Sequence, residues 1–216
     1  MRELLAVPDW QMTAGERLVL EGTVSALQPR LAIEVGTASG GSLRCIARHS
    51  AAVHSFDLEH VPALAGVTGV TLHTGDSHVL LPGFLERLAR DGDTTDFALV
   101  DGDHSARGVE RDLRALLDAE ALSESVILVH DAANPEVRGG IATALSSPPP
   151  DLTGVEMDLV GGHLSTAGPW ARELWGGFAL ILRGGEVLGL LERTDLVPTA
   201  DVLAAGRDAL AARLSP

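Results

Sequence analysis

The segment Leu31-Ala-Ile-Glu-Val-Gly-Thr-Ala-Ser-Gly-Gly-Ser42 constrains the fold more than any other stretch of the chain. A short apolar run that passes into three glycines and then into helix-forming residues reads as a buried strand, a tight turn and a helix. Gly36, Gly40 and Gly41 lack a Cβ, so the backbone can turn sharply there and approach a ligand closely. Ser39 or Ser42 is placed to cap the helix, whose first free N–H groups attract polar or anionic groups. A nucleotide-like cofactor suits such a turn. The plain alternative is an ordinary strand–glycine–helix connection in any α/β protein.

The glycine spacing decides which cofactor. A dinucleotide fingerprint needs G-x-G-x-x-G, whereas Gly36 is followed by Thr37, Ala38 and Ser39 before the next glycine. A P-loop needs a lysine after the glycines, and the chain contains none. Glu34, at the end of the strand, would repel a pyrophosphate and suits a ligand with a cationic amino group. Glu34-x-Gly36-x-x-x-Gly40 resembles motif I of the class I S-adenosylmethionine (SAM) methyltransferases.

Bulk properties narrow the partners. A chain of 216 residues with 45% hydrophobic residues fits one domain with a sizeable core. Its 30 acids against 16 arginines give a net charge of -14, which nucleic-acid phosphates and anionic membranes repel, so a small-molecule substrate is expected. Cys45 is the only cysteine, which excludes an intramolecular disulfide and a zinc site built on cysteine clusters. Glu3, Pro8 and Asp9 interrupt any signal-peptide pattern, and no uncharged apolar run approaches membrane-spanning length. A cytoplasmic protein is expected.

Apolar runs and helical patterns alternate along the chain. Helices are expected near residues 13–27, 43–48, 80–90 and 108–117, and strands near 31–35, 53–57, 70–73, 96–101 and 125–130. This alternation predicts a Rossmann-like α/β three-layer sandwich around a mostly parallel sheet. Residues 1–29 read as an N-terminal helical cap. Pro148, Pro149 and Pro150 break any helix, and residues 150–175 read as irregular. Residues 133–176 are therefore assigned to a substrate lid. Two apolar runs joined by Gly184-Gly185, within 177–192, predict a C-terminal antiparallel hairpin, and residues 199–214 an amphipathic helix.

Further candidate residues stand at strand ends, where open α/β sheets bind ligands. Asp57 ends the second strand and can accept both hydroxyls of a ribose. Asp76 and Ser77 follow the third and can meet an adenine amino group, although Gly-Asp is also a common turn pair. The fourth and fifth strands end in Asp101-Gly-Asp103-His104 and His130-Asp131. Five ionisable groups at one sheet edge suit a divalent ion, or let one histidine accept a proton from a substrate hydroxyl.

The string D-G-D-H-S-x-x-G-V-x-x-D-L, with E-V-G-T-x-S-G-G-S upstream and V-H-D downstream, resembles the small bacterial class I methyltransferases grouped with cephalosporin hydroxylase-like proteins. Sugar and catechol O-methyltransferases are similar in layout. The resemblance implies a seven-stranded sheet with its last strand antiparallel. It implies that Glu34, Gly36 and Gly40 hold the methionine part of SAM, with Thr37, Ser39, Ser42 and Asp101 also on the cofactor. It puts the ribose on Asp57 and the adenine near Asp76 and Ser77. It makes His104 a general base supported by Asp101, and sets a divalent ion, Mg²⁺ in the metal-dependent relatives, on Asp101, His130 and Asp131. A homodimer is common in that group. The chain departs from the metal-dependent pattern at His130, where those relatives carry Glu, and at Ala132, where the catechol type carries Asn. Imidazole suits softer metals than Mg²⁺, so the need for a metal stays open here.

The expected reaction is O-methylation of a small-molecule hydroxyl. Two other classes remain: a non-catalytic SAM or nucleoside-binding protein, and a metal-dependent hydroxylase or hydrolase on the same sheet. The chain lacks the Gly-x-Ser-x-Gly elbow that would favour a hydrolase. Asn134, Arg138, His163, Trp170, Arg172 and Trp175 are candidates to line the acceptor side, with Trp10 and Met12 closing it from the N-terminus.

Overall fold

The computed structural model describes residues 10–166, 168–185 and 208. The apolar runs form β1 (Leu31–Val35), β2 (Ala52–Asp57), β3 (Val70–Thr74), β4 (Phe97–Val100) and β5 (Ser125–His130), all parallel. Then come β6 (Leu152–Val160), the short β7 (His163–Leu164) and β8 (Leu174–Trp175), and finally β9 (Phe178–Arg183). The main sheet has seven strands in the order β3-β2-β1-β4-β5-β9-β6, and β9 is antiparallel to both neighbours. β7 and β8 pair in a separate two-stranded sheet.

Central strands buried on both faces read as continuous apolar runs, as β4 does with all four residues buried. Helices cover both faces. α1 (Ala14–Leu27) and α2 (Gly41–His49) supply Leu20, Val24, Leu43 and Ile46 to one core cluster, which includes Ala32, Phe97 and Leu128 of the sheet. α3 (Ser77–Asp91), α4 (Ala106–Asp118) and α5 (Pro135–Leu145) supply Leu85, Leu113 and Ile141 to the other, with Ile33, Val35 and Ile127. Side chains alternate across a strand, so Glu34 shares the face of Ala32 and lies under α2. The chain leaves β1 outward to β3 and returns through β4 on the other side of β1. That reversal opens a crevice beyond the strand ends.

The stretch read as irregular is not so throughout. Leu152–Val160 is an edge strand of the main sheet, paired antiparallel with β9. Its pairing shifts register between Leu152 and Gly154 and between Glu156 and Val160, so its side chains do not alternate cleanly in sequence. Within 133–176, Pro135–Leu145 is a framework helix with Val137, Ile141 and Ala144 buried. The first arm of the predicted hairpin is β9, whose antiparallel partner is β6. The second arm, 186–192, lies outside the described residues, as does the 199–214 helix apart from Asp208.

Arg183 ties this far edge together. Its buried guanidinium donates to the carbonyls of Leu116 and Ala119 at 2.9 and 3.0 Å, where α4 ends, and to Asp151 Oδ2 at 2.9 Å. Replacing it by alanine strands two carbonyls and a half-buried carboxylate. Arg183→Ala is expected to lose about 3 kcal/mol of unfolding free energy, read from the urea midpoint. A change within experimental error would show that Arg183 does not hold the sheet edge.

Candidate active site

The C-terminal ends of β1, β2, β4 and β5 open into a cavity of about 1050 Å³. Its floor is the turn after β1. Gly36 has φ +89°, and a Cβ there would lie 2.0 Å from the carbonyl oxygen of Asp101. Only glycine satisfies both conditions. Gly40, at φ +81°, is the N-cap of α2 and supplies no side-chain cap. The anticipated cap at Ser42 is not formed; its hydroxyl donates instead to Glu34 Oε1 at 2.6 Å. Ser55 donates to Glu34 Oε2 at 2.6 Å and lies 2.5 Å from the Thr37 hydroxyl. Glu34 is thus fully buried beneath the turn and does not line the cavity, whereas Gly36, Thr37, Ser39 and Ser42 do. Burial pushes the Glu34 carboxyl up to about 7, because two hydroxyl donors only partly replace water.

Asp57 stands at the edge of this turn and lines the cavity. Its Oδ2 accepts the N–H groups of Thr37 and Ala38 at 2.6 and 2.9 Å, which fixes the turn against β2. Asp76 is the N-cap of α3 and accepts from His78 N–H at 2.9 Å. The Ser77 hydroxyl donates to buried Asp112 at 2.9 Å. Asp76 and Ser77 both face the cavity.

On the other side, β4 and β5 bring four predicted residues together. Asp101 Oδ1 lies 3.0 Å from His130 Nδ1 and 3.4 Å from His104 Nε2. Asp131 Oδ2 lies 3.4 Å from His130 Nδ1 and 3.3 Å from His104 Nε2. Asp131 adopts φ +56° and accepts the Gly176 N–H through its other oxygen. Burial pushes Asp101 up, but the two imidazoles outweigh it and hold the carboxyl at about 2. His104 is raised, first by its bond to Asp101, against the opposing effect of burial. Burial opposes the charged form of His130 too, yet the carboxylates around it lift its pKa well above the ordinary value. Asp103 lines the cavity but bonds the Ser105 N–H, outside the four-residue cluster.

Sequence reasoning missed one member. Glu16 is buried at the start of α1, with Oε1 3.5 Å from His130 Nε2. Thr13-x-x-Glu16 is a capping-box signal that marks a helix start, and the box forms. Nothing local announces that the same carboxylate also accepts Gly177 N–H and faces His130.

Of the acceptor-side candidates, His163, Trp170, Trp175, Trp10 and Met12 line the cavity. Asn134 caps α5 and Arg138 pairs with Asp158 at 3.0 Å, so both serve the framework. Arg172 is in the β7–β8 connection, at φ +74°, and is not part of the lining.

The fold has counterparts among known proteins. The family model of a methyltransferase domain matches residues 33–132, from β1 to just past β5. No curated protein matches the chain. The O-methyltransferase TomG from Streptomyces achromogenes, involved in tomaymycin synthesis and solved with SAM, is similar at TM-score 0.58 and 21% identity, over 85% of this chain and 86% of its own. An O-methyltransferase from Bacillus cereus solved with S-adenosylhomocysteine (SAH) gives TM-score 0.55 and 16% identity, over 84% and 90%. MycE of the mycinamycin pathway, solved with Mg, SAH and mycinamycin VI, gives 0.57 and 17%, over 88% of this chain and 56% of its own. The chain has the fold of the class I SAM-dependent methyltransferases. On that fold the cavity lies over the glycine turn, with carboxylates on one flank and the His104–His130 cluster on the other. Among the described residues, no helix is long and apolar enough to cross a membrane.

The buried Glu34 sets a pH dependence. Its folded pKa of about 7 exceeds the ordinary 4.5, so the folded state holds its proton more tightly than the unfolded chain. The associated stability is fully present below 4.5 and is lost as pH rises through about 7. Thermal melts at about pH 5 and about pH 8.5 should therefore show wild type losing more Tm than Glu34→Gln. Equal losses would show that Glu34 ionises as an ordinary carboxylate.

Proposed function

We propose that the protein transfers a methyl group from SAM to a hydroxyl of a small molecule, with His104 as the proton acceptor. The observation that carries this reading is the placement of His104 Nε2 at the cavity, 3.4 and 3.3 Å from two carboxylate oxygens, across from a glycine turn of the methyltransferase type. The residues present fit the cofactor. Gly36, Thr37, Ser39, Gly40 and Ser42 form the turn for its methionine part, stiffened from below by Glu34. Asp57 keeps Oδ2 pinned to the turn, and Oδ1, which takes a long 3.4 Å bond from the Glu59 N–H, has a lone pair left for a ribose hydroxyl. Asp76 and Ser77 stand where the adenine edge is expected. When bound, SAM supplies an electrophilic methyl on a sulfonium leaving group.

The chain's own residues then have three tasks. The cavity aligns the acceptor and excludes water. His104 takes the hydroxyl proton at Nδ1 while its Nε2–H faces the two carboxylates, whose pairing raises its pKa. Asp101 and Asp131 orient the ring and stabilise the imidazolium formed. Asp101, His130 and Asp131 offer donor atoms within 4.8 Å of one another, so they can hold a divalent ion that would lower the acceptor's pKa. The acceptor itself is read by residues 161–176, a narrower lid than the 133–176 stretch. There Trp175 packs edge-on to His104 at 5.6 Å and Trp170 is 56% exposed. The natural-product and sugar substrates of structural neighbours such as MycE and the calicheamicin rhamnose O-methyltransferase support a small hydroxylated acceptor.

The test is radiolabelled SAM with a panel of phenols, sugars and hydroxylated macrolides. Wild type should label at least one acceptor. His104→Ala should lose about 100-fold or more in turnover while SAH affinity stays within about twofold. Unchanged turnover would remove His104 from the mechanism. SAH binding without any labelled product would favour a binding protein over an enzyme.

A further inference from the structure

Methyl transfer with His104 as base leaves two features unused. Glu16 is buried on α1, which otherwise plays no part in the chemistry, and His130 Nε2 is a buried nitrogen without a well-formed hydrogen bond. The two face each other at 3.5 Å. Glu16 is anchored independently of His130, because Oε2 accepts Thr13 N–H and Oε1 accepts Gly177 N–H. The ring itself packs against Phe178, with centroids 5.1 Å apart. A fixed carboxylate thus stands behind one ring nitrogen. In front of the other, Nδ1, lie Asp101 Oδ1 at 3.0 Å and Asp131 Oδ2 at 3.4 Å.

A carboxylate behind an imidazole selects the tautomer that carries its hydrogen on the rear nitrogen and its lone pair in front. Without an ion, Nδ1 carries a proton and bonds Asp101 Oδ1 at 3.0 Å; a divalent cation can take that proton's place between the lone pair and the two carboxylate oxygens. The three front atoms lie within 4.8 Å of one another, close enough to share one ion. Mg²⁺ prefers oxygen ligands in a near-ideal octahedron and keeps several waters. One imidazole and two carboxylates instead suit a borderline transition ion of the Zn²⁺, Mn²⁺ or Co²⁺ class.

We infer that the Asp101–His130–Asp131 face takes a borderline divalent transition ion in preference to Mg²⁺, and that Glu16 is a positioning residue that holds His130 for it. His104 reaches the same two oxygens from the more open side of the cavity and keeps its role as proton acceptor. The inference deepens the methyl-transfer reading of the same site, and its test does not use turnover.

The probe is Co²⁺, added to the full chain after chelation and followed by visible absorption and calorimetry. Wild type should bind one Co²⁺ per chain and retain it against about 100-fold excess Mg²⁺. Glu16→Gln and Glu16→Ala should weaken Co²⁺ affinity about 10- to 100-fold, and His130→Ala should abolish the absorption band. SAH affinity, measured in parallel, reports that each variant is folded. If Glu16→Ala fails to fold, Glu16→Gln, which keeps the shape and one carbonyl acceptor for a backbone N–H, carries the test. Absence of Co²⁺ binding by wild type, displacement by Mg²⁺, or undiminished affinity in a folded Glu16→Gln protein would overturn the inference. Because SAH binding is read separately, each of those results would leave the methyl-transfer reading standing.

Discussion

The close approach of Gly36 to the backbone of Asp101 sets the position of everything in the site. With a Cβ at position 36 only 2.0 Å from the Asp101 carbonyl, no other residue lets β1 turn this close to the end of β4. The contact puts the glycine turn and the Asp101–His104 segment side by side. It also lies where the strand order reverses, between β1 and β4, which is where an open parallel sheet has room for a ligand. The glycine turn and the carboxylate–histidine cluster are therefore adjacent by construction, and the two helical layers serve mainly to keep those strand ends in register.

The carboxylates around the cavity divide by the partners they meet. Glu34 is buried against two serine hydroxyls, and desolvation lifts it to about 7. Imidazole nitrogens instead face half-buried Asp101 and buried Glu16, and each is held at about 2. The same side-chain type is thus protonated over a much wider pH range under the glycine turn than beside the two histidines. The first arrangement stiffens the turn without setting a full negative charge beneath it. The second supplies the negative field that orients two histidines.

Much of this architecture is legible in the sequence, for definite reasons. Strands buried on both faces carry unbroken apolar runs, so β1, β4 and β5 stand out, and the polar residues that end them fall at the cavity. Asp57, Asp101, His104, His130 and Asp131 are all readable by that logic. What is not legible depends on contacts distant in sequence or on broken periodicity. β6 hides because register shifts disturb its alternation, and Leu152–Val160 reads as irregular. Ser42 looks like a helix cap, but Glu34 beneath it competes for the hydroxyl and wins. Glu16 looks like half of a capping box, which it is, while its contacts to His130 and Gly177 appear only once α1 docks over the sheet.

The proposed fit of SAM to the cavity over the Gly36–Ser42 turn can be read by isothermal calorimetry with SAH. One SAH should bind per chain with an affinity in the micromolar range, about −8 kcal/mol, and Asp57→Ala should weaken it about tenfold or more. Absence of binding heat over a range of temperatures, from a protein whose melt shows it folded, would contradict it.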